Sequence, residues 1–121
     1  MVRHLEDRRP LEGTELRQAV PAVVADIVAA AQPAKVILFG SVARGEEGPD
    51  SDLDFLVILD HLDPAQRARL MGRIRFAIDV LAPIDIYVTD LEEFERRKDV
   101  NGSMLYWPAR EGQVVYERDA A

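Results

Sequence analysis

A chain of 121 residues has room for one domain and one hydrophobic core, but not for a catalytic domain with a separate acceptor-binding domain. With 48% hydrophobic and 31% charged residues it has the composition of a soluble globular protein, and no apolar run reaches the ~20 residues of a bilayer span, so a cytoplasmic location without a membrane partner is expected. No cysteine is present for disulfides or thiolate metal sites, and a formal net charge of −7 argues against an extensive nucleic-acid surface.

Residues 1–13 are polar, broken by Pro10 and Gly13, and read as an arm before a single domain over 14–121. From Thr14 to Ala31, Leu16, Val20, Val23, Val24, Ile27 and Val28 recur at helical spacing. Thr14 is the expected N-cap, and Pro21 predicts a kink or a late start. Lys35–Phe39 is β-branched-rich and bounded by Pro33 and Gly40, as a buried strand should be. Gly40-Ser41 then turns into a brief helical segment, with a loop from Gly45 to Pro49. Leu53–Leu59 is apolar at almost every position, which predicts a central strand covered on both faces.

Asp63-Pro64-Ala65-Gln66 is a helix-start signal. The expected core face of that helix is Ala68, Met71, Ile74, Ala77, Ile78 and Leu81, with Arg67, Arg69, Arg73 and Arg75 on a solvated face. Ile84–Val88 reads as a third strand, Thr89-Asp90 as the start of a helix carrying Phe94 inward, and Gln113–Tyr116 as a last short strand. Ser103–Trp107 fits neither period; Tyr106 and Trp107 are expected in the core. The order predicts a mixed β-sheet with helices packed on it, in the α/β or α+β class.

Side chains two apart on a strand share a face, so Asp52 and Asp54 sit side by side at the entry of an apolar strand. Two neighbouring carboxylates repel each other, and burial makes the repulsion worse. A hard divalent cation removes the conflict and favours oxygen ligands. The two histidines, His4 and His61, are too few for a zinc site, so any metal must be held by oxygen. Asp85, between Ile84 and Ile86, has a similar setting on a run expected beside the first. Three such acids make a site for one or two Mg2+ ions. Gly40 allows close backbone approach to a ligand, Ser41 adds a hydroxyl, and Arg44 either contacts phosphate or braces the loop.

Gly40-Ser41-x-Ala43-Arg44-Gly45 followed by Ser51-Asp52-x-Asp54 resembles the signature of the polymerase-β-like nucleotidyltransferases, and more closely that of their minimal branch, the MNT proteins. The resemblance extends loosely from Leu16 to Tyr116. It implies a polymerase-β-like fold and a Mg2+-dependent transfer of AMP from ATP to a hydroxyl, with release of pyrophosphate. It also implies that Gly40 and Ser41 hold phosphates, that Asp52 and Asp54 bind metal, and that Asp85 binds the catalytic metal and helps deprotonate the acceptor. MNT proteins pair with HEPN-domain toxins, so the resemblance implies an antitoxin that modifies a partner tyrosine. Two alternatives stand beside it: a non-catalytic antitoxin that masks its partner, and transfer to a small molecule or a tRNA 3′ end. The short length favours a partner that presents its own hydroxyl.

Overall fold

The computed structural model of the chain describes residues 10–119. Most of the N-terminal arm, residues 1–9, lies outside the described residues. The elements are α1 (Thr14–Ala31), β1 (Lys35–Phe39), α2 (Gly40–Ala43), β2 (Leu53–Leu59), a 3-10 turn (Pro64–Gln66), α3 (Arg67–Ala77), β3 (Ile84–Asp90), α4 (Leu91–Arg97), α5 (Tyr106–Glu111) and β4 (Gln113–Glu117).

The strands form one four-stranded mixed sheet in the order β3-β2-β1-β4. β1 runs antiparallel to β2 and to β4, whereas β2 and β3 are parallel. The period of two along β2 divides the core. Leu53, Phe55, Val57 and Leu59 pack with Leu16, Val23 and Ile27 of α1 and Ile74 of α3, while Leu56 and Ile58 pack with Phe94 and Leu105 on the opposite face. β2 is therefore covered on both sides, as its unbroken apolar run requires.

The helix starts and stops differ from expectation in instructive ways. Gly13, at φ 58°, occupies the N-cap of α1 and Thr14 is its first helical residue. The Glu15 carboxylate accepts from the Glu12 N–H at 3.2 Å, which ties the segment before the cap to the first turn. α1 runs unbroken through Pro21, whose ring lies on the exposed side, where the carbonyl that loses its partner can turn to water.

α3 ends at Ala77, earlier than the apolar spacing suggests. Ile78 is extended, and the Asp79 N–H donates to Asp26 of α1 at 3.0 Å. Ile74 is buried and Leu70, Met71 and Ile78 are half-buried, but Ala68, Ala77 and Leu81 are exposed, so only part of the expected core face is used. The arginines are also not one solvated face. Arg67 pairs with Glu93 at 3.1 Å and Arg75 donates to the Ile84 carbonyl, leaving Arg69 and Arg73 as the plainly exposed pair. Asp90 ends β3 and caps α4, accepting from the Glu93 N–H at 2.9 Å and the Leu62 N–H at 3.0 Å.

The stretch that fitted neither period leads into α5, an element the expected order lacks. Its end presses against β1, because a Cβ at Gly112 would run into the Ile37 side chain and the Pro108 carbonyl. Tyr106 is half-buried, but Trp107 is 58% exposed and not part of the core.

Candidate functional site

The sheet brings the three acids together. Asp54 lies opposite Asp85 in the parallel β2–β3 ladder, and Asp52 precedes Asp54 on the same face. Carboxylate oxygens of Asp52, Asp54 and Asp85 all lie within 4.8 Å of one another. Asp52 and Asp54 are half-buried, whereas Asp85 is exposed. An oxygen-only donor set of this kind fits a hard divalent cation, and the cluster could hold a metal ion.

The turn is built against this cluster. In the antiparallel β1–β2 ladder Phe39 faces Asp54, so the chain leaves β1 directly over the carboxylate. Gly40, at φ +81°, takes a conformation that side chains rarely adopt, and a Cβ there would run into Asp54 Oδ2. Glycine is thus required twice at one position, by the backbone and by the neighbouring acid.

Ser41 Oγ donates to Ser51 Oγ at 2.8 Å, and Ser51 Oγ accepts from the Gly48 N–H at 2.8 Å. This chain of bonds fastens the loop to the turn. A second fastening comes from α1, where Arg17 grips Glu47 through Nε at 2.9 Å and Nη2 at 2.8 Å and donates to the Val42 carbonyl at 2.6 Å. The hydrogen bond with Arg17 holds the Glu47 carboxyl below its ordinary range. Ser51→Ala strands the Ser41 hydroxyl and the Gly48 N–H together. The expected loss is about 1–2 kcal/mol of unfolding free energy, read from the midpoint of a urea titration.

Arg44 pairs with Glu46 at 2.9 Å and with Glu111 at 3.8 Å, so in this state it braces the loop. His61 is exposed and stands apart from the carboxylate cluster. Trp107 and Glu111 line a cleft with Gly40 and Arg44, a placement that sequence reasoning missed. The available signal was their spacing of four, which puts both on one face once residues 106–111 are recognised as helical.

Electrostatics mark Asp54 as the strained member. Burial first, then repulsion from Asp85 and Asp52, push its carboxyl up to about 6, with Arg44 opposing. The native state therefore binds this proton more tightly than an unfolded chain does. The stability it supports is present below about pH 4 and is lost as pH rises through about 6. A cation competes with the same proton. The Mg2+-induced rise in thermal midpoint should be small at pH 5 and reach a plateau above about pH 7, as differential scanning fluorimetry at fixed ionic strength would show. A rise equal at both pH values would contradict ligation through Asp54.

Residues 22–107 match the nucleotidyltransferase domain family. Among solved structures, the chain is similar to the crystal structure of a proposed nucleotidyltransferase from Sulfolobus solfataricus, with a TM-score of 0.59 and 18% identity over 88% of this chain and 85% of that one. A crystal structure of a toxin–antitoxin with AMP-PNP is also similar, with a TM-score of 0.49 and 22% identity over 80% of this chain and 73% of that one. No curated protein matches the sequence. The family match spans most of the chain and contains the Gly40 turn and all three acids, and the chain belongs to the nucleotidyltransferase domain family.

Proposed function

We propose that the protein moves AMP from ATP to a hydroxyl, most simply a tyrosine, of a partner HEPN toxin and acts as its antitoxin. One observation carries the reading: three carboxylates on neighbouring chain segments meet beneath a glycine-serine turn that has no room for a Cβ at Gly40.

In this reading Asp52, Asp54 and Asp85 would hold one or two Mg2+ ions, which when bound neutralise phosphate charge and lower the pKa of the acceptor hydroxyl. The amides of the Gly40–Ser41 turn and the Ser41 hydroxyl hold the outer phosphates of ATP, and Arg44 exchanges an acidic partner for a phosphate oxygen. The exposed Asp85 faces the acceptor and takes up the proton of its hydroxyl. The acceptor oxygen bonds to the α-phosphorus as the bond to the β-phosphate oxygen breaks, and pyrophosphate leaves.

A protein acceptor is supported by a groove of about 300 Å3 beside β3, the edge strand that carries Asp85. Leu56, Met71, Tyr87, Met104 and Leu105 are among the residues that line it. Tyr87 stands two residues beyond Asp85, so a polypeptide in this groove could carry its hydroxyl to the carboxylates. The motif resemblance to MNT proteins supports the choice of a HEPN partner.

Incubation with α-labelled ATP, Mg2+ and a HEPN partner should transfer label to the partner and release pyrophosphate. Labelling that survives combined Asp52→Ala and Asp54→Ala would sink the assigned site. If that double variant still protects cells as well as the wild type does, masking of the partner is the function and transfer is not.

A further inference from the structure

The turn and the acids account for the phosphates of a nucleotide but leave the nucleoside without a seat. Next to the turn lies a cleft of about 350 Å3, lined by Phe39, Gly40, Arg44, Trp107 and Glu111. That volume falls within the range of small-molecule sites. Because Gly40 and Arg44 belong to the turn itself, the cleft opens directly from the phosphate seat.

Trp107 is the single tryptophan of the chain and is 58% exposed, although its neighbours Leu105 and Pro108 are buried. Its aromatic surface lies open to water beside the polar turn, where a flat ligand can reach it. Its position is held firmly. Tyr106 packs against it edge-to-face with centroids 5.1 Å apart, and the Arg110 guanidinium lies 3.7 Å from the Tyr106 ring centre. α5 is in turn seated on β1, where Gly112 comes close to Ile37.

The cleft is also polarised. Glu111, an acceptor-only group, stands 3.8 Å from Arg44. A phosphate held at the Gly40–Ser41 turn takes Arg44 from its acidic partners and leaves the Glu111 carboxylate free to accept from another part of the ligand. A nucleoside has hydroxyl and amino donors to offer a carboxylate, and it has a flat base to lay on indole.

We infer that Trp107 is the platform on which the base of the bound nucleoside triphosphate stacks, with Glu111 beside it as an acceptor for the nucleoside's donors. The inference rests on the nucleotide-binding reading above.

The lone tryptophan makes the test direct, because its fluorescence reports one position. The full chain is titrated with Mg2+–ATP and, separately, with Mg2+–tripolyphosphate, which has no base, while fluorescence and thermal midpoint are both recorded. Both ligands should raise the midpoint, and only ATP should quench Trp107. By calorimetry Trp107→Ala should weaken ATP binding about ten- to a hundredfold and leave tripolyphosphate binding unchanged, while Trp107→Phe should recover most of the loss.

Equal quenching by both ligands, or binding of ATP without quenching, would overturn the assignment. So would quenching that appears only on addition of a HEPN partner, which would make Trp107 an interface anchor. If neither ligand raises the midpoint, the nucleotide reading fails and takes this one with it.

Discussion

Asp54→Asn should abolish nucleotidyl transfer and at the same time make the metal-free protein more stable. The amide keeps the shape of the carboxylate, so the close seat under Gly40 is preserved and no cavity is opened. What changes is charge. Asp54 is the acid whose proton is held up to about 6 by burial and by its two acidic neighbours, and asparagine removes that conflict. Asp54 is half-exposed, so solvent screening reduces the gain to about 1 kcal/mol, or a few degrees in thermal midpoint for a domain of this size. Activity should move the other way, by about a thousandfold or more, the scale lost when a preorganised charge partner of a transition state is removed. The added midpoint conferred by Mg2+ should disappear together with activity. A variant that melts lower than wild type without metal, or that keeps its activity, would show that these acids are not in conflict or do not ligate.

Gly40→Ala should cost both stability and transfer, and far more of each than Gly45→Ala. Both glycines have positive φ, +81° and +76°, so each substitution pays about 1–2 kcal/mol of backbone strain. Only at Gly40 does the new methyl meet another group, the Asp54 carboxylate; around Gly45 there is open space within 4 Å. Overpacking adds about 1–3 kcal/mol at Gly40. Any relief moves Asp54 out of its cluster, and a displacement of about 1 Å in such a constellation is enough for a hundredfold loss of rate. Urea unfolding and label transfer on the two variants separate the terms. Equal losses at Gly40 and Gly45 would leave backbone strain as the whole effect and remove the argument for contact.

The parts legible in the sequence were those with a strong local period or a short motif. β2 announces itself because a strand covered on both faces must be apolar at nearly every position, and Asp52 and Asp54 stand out against it. Asp85 was placed by spacing, and the β2–β3 register sets it opposite Asp54. The helix after β2 was legible in existence but not in extent. Its end is decided by a tertiary bond, from the Asp79 N–H to Asp26, that no local pattern carries. α5 was not legible at all. It has six residues, includes a proline and lacks a side-chain cap, and its place depends on Gly112 fitting against β1, a contact between segments far apart in the chain. The exposure of Trp107 follows from that packing and from nothing in its neighbours' sequence.

The shared register of β2 and β3 has a further consequence. Because strand side chains alternate, a slip of one residue would carry Asp54 to the α1 side of the sheet and turn Phe55, Val57 and Leu59 toward Phe94 and Leu105 at the same time. A register error that scatters the acids also unmakes the interior. The core thus proofreads the site, and a molecule that survives folding has already passed inspection for its chemistry.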